Sequence, residues 1–303
     1  MGTTTIKASH RGYAEQLDKG YRGSQFAMVW RTFRRDRVAV VSAAIIITVI
    51  IMAIGAPWIA PYDPYGGDGT LRLAPIGTPG HPLGLDGLGR DMLSRMIWGA
   101  RVSIPAGVLP VAIASAFSLV LGVIAGFYQQ LIGAIIMRIM DVLIAFPIVL
   151  LAAAVAGILG PGMLNVMLSM VIVIVPYVTR TVYSATAEIS RAEFVEAAQA
   201  AGGTNMNILF GQILPNVLSP LIVYSTTIVG LMITLAAGLS FLGLGVQPPI
   251  AEWGMMCSEG RKVLSVAPHV ATVPGLAIVI ISLAFNLCGD GLRDALDPHL
   301  RVR

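Results

Sequence analysis

Residues 190–216 read SRAEFVEAAQAAGGTNMNILFGQILPN. This is the longest polar interval after the first hundred residues, and apolar sequence flanks it on both sides. Ser190 and Glu193 stand in S-x-x-E order, a capping box that predicts a helix from Arg191. Alanines at 192, 197, 198, 200 and 201 favour that helix. Gly202 and Gly203 end it, because glycine accepts the left-handed cap at little cost. Thr204 or Asn205 caps a second helix, which is expected to stop near Pro215.

The surroundings of this stretch are those of a membrane protein. Of 303 residues, 56% are apolar and 12% charged. Soluble domains carry about 25% charged residues. The mean hydropathy is +0.79. Cys257 and Cys288 lie far apart and form no C-x-x-C, so neither a redox pair nor a zinc site is indicated. The net charge of +4 needs no nucleic-acid partner, since the basic residues cluster at membrane flanks. Lys7, Lys19 and Lys262 are the only lysines, and none stands in a phosphate-binding G-x-x-x-x-G-K-[ST].

Residues 1–37 are polar and lack the brief apolar core of a cleaved signal peptide. Phe26, Val29, Trp30 and Phe33 recur at helical spacing, with Arg31, Arg34 and Arg35 opposite. That pattern predicts an amphipathic helix lying at the lipid headgroups. Six spans are expected in the remainder, residues 38–303, at about 38–60, 102–127, 133–159, 163–186, 218–243 and 268–289, by the length needed to cross a bilayer. A short helix from Asp91 to Trp98 should precede the second. Arg138 and Asp141, three apart, can pair on one face of the third. Pro176 should bend the fourth.

Residues 57–91 hold six prolines and eight glycines, which predicts an irregular loop outside the membrane. His81, Asp86 and Asp91 are of metal-ligand type, but loop aspartates ordinarily cap turns and helices. No metal site is expected. With the N-terminus in the cytoplasm and six crossings, 14 of the 20 Lys and Arg residues fall inside. That bias predicts both termini inside and places 187–217 in the cytoplasm.

Several motifs resemble one family. Glu196-Ala197-Ala198, Gly202 and Ile213-Leu214-Pro215 are similar to the EAA loop of ABC-importer permeases. Ala60-Pro61-Tyr62-Asp63-Pro64, His81-Pro82-Leu83-Gly84-Leu85-Asp86, Gly89-Arg90-Asp91 and Gly99-Ala100-Arg101 resemble the dipeptide/oligopeptide/nickel subfamily. Leu85 stands where threonine is usual. Gln247-Pro248-Pro249 and the closing 285–298 segment are similar to its C-type subunits.

The resemblance implies an all-α integral membrane protein with the type I ABC importer permease fold. It implies that 187–217 is a coupling loop, with Glu193, Glu196, Ala197, Ala198, Gly202, Ile213, Leu214 and Pro215 seated against an ATPase. The implied partners are a second homologous permease subunit, two ATP-binding subunits and an extracytoplasmic solute-binding protein. The implied location is the bacterial cytoplasmic membrane. ATP and magnesium would belong to the partner subunits, with no cofactor and no catalytic residue in this chain. Asn165, Ser169, Thr179, Thr226 and Thr227 are the polar candidates for a translocation pathway.

Two other classes are weighed by the residues. An ion-coupled secondary transporter needs intramembrane acids and internal repeats. The acids here, such as Asp141 and Asp290, sit at span ends, and no clear repeat is visible. A membrane enzyme needs a reactive constellation, and His10, His81, His269 and His299 are scattered.

Overall fold

The computed structural model describes residues 29–296. The N-terminal helix expected at the headgroups lies partly outside them. Residues 29–35 are helical and form the described part of α1. There Trp30 and Phe33 stack with ring centroids 6.3 Å apart.

Helix α2, Arg37–Ile54, begins where the Asp36 carboxylate accepts Val38 N–H and Ala39 N–H. It ends at Gly55, and a single turn, α3 (Ala56–Ile59), completes the uncharged run. Helix α4 runs unbroken from Met92 to Phe127. This corrects the expectation of a separate short helix before a second span. Pro105 and Pro110 lie inside α4, and packing against α7 and α10 holds it together despite the lost backbone bonds.

The expected third span, 133–159, is not one helix. Helix α5 (Leu131–Ile144) and α6 (Ile148–Leu159) meet at 89°. Pro147 is the cause: it has no N–H to continue α5, and it pushes Phe146 out of helical geometry. Helix α7 covers Met163–Ile189, with Pro176 inside it. Then come α8 (Glu193–Ala200) and α9 (Asn205–Ile208). A π-helical turn, Leu209–Ile213, leads directly into α10 (Leu214–Phe241). Helix α11 is Trp253–Arg261 and α12 is His269–Leu296.

Among the described residues, five helical stretches are long and apolar enough to cross a membrane, or six if the bent α5–α6 pair counts as one span. Packing is tightest where side chains are smallest. On α4, a Cβ at Gly122 would lie 2.6 Å from Val182 Cβ of α7, so only glycine permits this approach. Side-chain hydrogen bonds join the spans: Ser118 Oγ donates to Val175 O, Ser115 meets Ser225 at 2.7 Å, and Thr234 Oγ1 donates to Ser282 Oγ.

Residues 60–91 have no regular strand, only isolated bridges, yet they are tightly held. Asp91 caps α4 by accepting Ser94 N–H and Ser94 O–H, and His81 Nδ1 sits 2.8 Å from its other oxygen. Tyr62 stacks on the His81 ring at 4.6 Å. Asp86 accepts the Arg90 N–H and the Arg90 Nε–H. Asp91 thus caps a helix and pairs with His81, while Asp86 closes a turn and pairs with Arg90 and Arg95. Across from the loop, Glu252 caps α11 and accepts the Ser103 hydroxyl of α4 at 3.1 Å. Burial is the chief cause that pushes the Glu252 carboxyl above the usual glutamate range.

Candidate coupling site

The site is built where α7 leaves the bundle. Ser190 closes α7 rather than opening α8: its hydroxyl donates back to Thr186 O at 2.7 Å. The expected capping box is therefore absent. A serine at the last turn finds the carbonyl four residues back closer than any N–H ahead. Helix α8 starts two residues late, at Glu193, with Ala192 as its cap. Glu193 and Glu196 fall in its first turn, where the helix dipole favours negative charge.

One side chain anchors α8. Val195 is fully buried, while Glu193, Phe194, Glu196, Ala197 and Gln199 face outward. Ala198 is half-buried. Arg191 ties the entry to the turn between α4 and α5, donating to Gln129 Oε1 at 2.9 Å.

The glycine break has the expected geometry. Gly202 has φ +79°, Gly202 N–H donates to Gln199 O, and Gly203 N–H donates to Ala198 O. This pair of bonds is a Schellman cap. The two glycines differ. A Cβ on Gly202 meets nothing, so only its backbone conformation demands glycine. A Cβ on Gly203 would lie 2.8 Å from Ala198 O, so there the demand is space.

The second helix departs from expectation. Thr204 caps it, but it does not stop at Pro215: the chain is helical from Asn205 to Phe241. A proline inside an α-helix collides with the carbonyl four residues back, here that of Gly211. The π turn widens the helix at that point, with Leu214 N–H reaching Leu209 O. Asn216 Nδ2 donates to Gln212 O at 2.6 Å, covering a carbonyl in the widened turn. Buried positions record the shift. Ile208, Ile213, Val217 and Leu221 are all buried, spaced five, four and four. An uninterrupted α-helix would turn Ile208 away from Ile213.

The expected coupling residues therefore divide. Glu193, Glu196, Ala197, Gly202 and Pro215 are exposed, Ala198 and Leu214 are half-buried, and Ile213 is fully buried. Ile213 belongs to the core and presents nothing to a partner. Sequence reasoning passed over Phe194, Met206 and Phe210, which are 47%, 61% and 56% exposed. The signal was three large apolar side chains within a polar interval. Met206 and Phe210 border an apolar groove of about 360 Å³ against Val120 of α4 and Tyr128 just past its end.

The pathway candidates do not converge. Asn165 Nδ2 caps the end of α6, donating to Leu159 O and Gly160 O. Ser169 is fully buried and donates to Asn165 O. Thr179 is fully buried within the chain. Thr226 and Thr227 are half-buried and donate to backbone carbonyls of α10. The expected Arg138–Asp141 pair is also replaced: Asp141 of α5 pairs with Arg180 of α7, which lies across the helix interface.

The comparisons agree with this architecture. Residues 118–302 match the family described as binding-protein-dependent transport system inner membrane component. Residues 24–75 match the N-terminal transmembrane domain of oligopeptide transport permease C. Among relatives, the glutathione transport system permease protein GsiD of Pectobacterium atrosepticum is 44% identical over 272 residues, covering 90% of each chain. GsiD of Escherichia coli is 46% identical over 274 residues, again covering 90% of each. A chain of the MetNI methionine ABC transporter, solved in inward-facing conformations, superposes with a TM-score of 0.56 at 17% identity. It covers 68% of this chain and 98% of that one, and shares the fold. These matches do not favour the ion-coupled secondary transporter. The chain belongs to the inner membrane components of binding-protein-dependent transport systems, and among them to the ABC importer permeases of the peptide/nickel family.

Proposed function

We propose that this permease forms half of a translocation pathway for a peptide or a related small solute, beside a second, homologous subunit. A γ-glutamyl tripeptide is the first solute to test, because the GsiD relatives are named for glutathione transport. The extracytoplasmic binding protein delivers the solute. Two ATP-binding subunits hold ATP and magnesium and perform the hydrolysis, and this chain is non-catalytic. Both termini lie in the cytoplasm of a bacterial cell, with the α5–α6 pair as a broken span. Asn165, Thr226 and Thr227 are the pathway candidates that keep surface.

The reading rests on one observation. The exposed α8 is joined through two glycines and Thr204 to a helix that continues without interruption into α10. A displacement of α8 by an ATPase therefore reaches a membrane span with no slack loop between them. Alternating access follows if the spans tilt when the ATPases close.

Three experiments test this. Glu196→Cys, in a background lacking Cys257 and Cys288, should cross-link to an ATP-binding subunit in the assembled complex. Cysteines at Gly69 and Gly203 should be labelled by an impermeant reagent from outside and inside, respectively. Vesicles containing the four-subunit complex and its binding protein should take up labelled glutathione or dipeptide only with ATP. Absence of any cross-link to an ATP-binding subunit, or uptake driven by a proton gradient alone, would sink the proposal.

A further inference from the structure

The α2 and α12 helices leave a trough between them on the membrane-facing side. Val41 and Ile45 form one wall, and Ile280, Leu283 and Leu287 the other. Its volume is about 470 Å³. Val41, Ile280 and Leu283 are each more than half exposed within the chain. From Arg37 to Ile45 the trough follows α2 for about 12 Å at 1.5 Å per residue. The helices close behind it where the buried Ala39 rests on Gly291, a position with no room for a Cβ.

The mouth of this trough carries the charge. Arg37 lines it and is exposed, with no ion pair among the described residues. Arg31, Arg34 and Arg35 lie within two turns and are also exposed. Of these, Arg34 covers the Trp30 ring at 5.9 Å. The acids nearby do not neutralise the cluster. Asp36 spends its carboxylate capping α2. Asp290 and Asp294 are exposed on α12, and Arg293 stands between them.

We infer that this trough is a binding site for one anionic phospholipid. An acyl chain lies along Val41, Ile45 and Leu283, and the phosphate meets the Arg37 guanidinium. Charge complementarity selects the occupant. A zwitterionic lipid such as phosphatidylcholine also carries a phosphate, but its own choline balances that charge, so only an anionic lipid brings net negative charge to the arginine cluster. Arginine suits the task because its guanidinium holds its charge and offers paired donors to phosphate. The inference does not depend on which face of the membrane this end occupies, nor on the solute.

The test uses the assembled complex, delipidated and then exposed to equal amounts of phosphatidylglycerol and phosphatidylcholine. Native mass spectrometry then counts the lipid retained. The wild-type complex should keep phosphatidylglycerol at least fivefold over phosphatidylcholine. Arg37→Gln should erase most of that preference, and Arg37→Lys should restore part of it. Equal retention of both lipids by wild type, or an unchanged preference in R37Q, would overturn the site. A photoreactive side chain at Val41 gives a second reading. Coupling to lipid supports the inference, whereas coupling to another subunit puts a protein helix in the trough and refutes it.

Discussion

Arg90 and Glu259, 169 positions apart, meet at 3.0 Å, and Arg95 reaches the same carboxylate oxygen at 3.1 Å. Both arginines are buried, and Asp86 is their other acidic partner. One glutamate on α11 thus fastens the 60–91 loop and the start of α4 into a single plate. Glu259→Ala would leave two guanidiniums sharing one carboxylate. Breaking a buried pair costs about 3–5 kcal/mol, and the partial exposure of Glu259 reduces this to roughly 1–3 kcal/mol. Thermal unfolding of the purified complex should show the loss, with Glu259→Gln milder than Glu259→Ala. An unchanged midpoint in Glu259→Ala would show that Asp86 suffices.

Gly202→Val and Gly203→Val should damage coupling by different routes. At 202 the cost is conformational, roughly 1–2 kcal/mol or more for a β-branched residue held at positive φ. At 203 the new Cβ collides with the Ala198 carbonyl that its own N–H must reach. The double variant should insert normally, because the spans carry their own apolar drive, while uptake falls to background. ATPase stimulation by loaded binding protein reads the coupling directly. Normal uptake in the double variant would remove the need for the break.

The π turn makes a prediction of opposite sign for two small changes. Deleting Gly211 brings Ile208, Ile213 and Val217 to regular four-residue spacing on one face. Combined with Pro215→Ala, the deletion variant should fold and insert. Inserting one alanine after Gly211 turns Ile208 by about 100° out of the core. Exposing an isoleucine costs roughly 1.5–3 kcal/mol. Limited proteolysis at 187–217 should be slow in the deletion variant and fast in the insertion variant. Equal protection of the two would show that the buried face does not set the phase of this helix.

Glu252 predicts a pH dependence. Its carboxyl is raised in the folded chain, chiefly by burial, so the folded state binds its proton more tightly than the unfolded state does. Its contribution therefore favours folding at low pH and diminishes as pH rises through the ordinary glutamate value of 4.5 toward the raised one. Above that window the ionised carboxylate bears a desolvation cost, offset in part by the Gly254, Met255 and Ser103 bonds. Glu252→Gln should flatten the decline in melting temperature as pH rises above 4.5 relative to wild type. It should also cost about 1 kcal/mol throughout as a weaker cap. A parallel decline in both proteins would assign the pH dependence to other groups.

Much of this protein is legible in its residues alone. Uncharged runs longer than a bilayer core can only be buried or lipid-facing, so the spans at α2, α10 and α12 are evident from composition. The order of Glu196-Ala197-Ala198, Gly202 and Pro215 marks the exposed loop, and Gly202 takes the left-handed conformation its position requires. These are local matters, decided by transfer energy and backbone sterics within a few residues. Tertiary packing decided the rest. Proline has a local preference to end helices, yet Pro105, Pro110 and Pro215 do not end them, because neighbouring spans hold the helix on both sides and a π turn absorbs the clash. Pro147 does break its helix, and at α5–α6 packing does not override it. Asp141 chose Arg180 over Arg138, and Glu259 chose Arg90 and Arg95, because partners across a helix interface are set by how the helices pack and not by spacing along the chain.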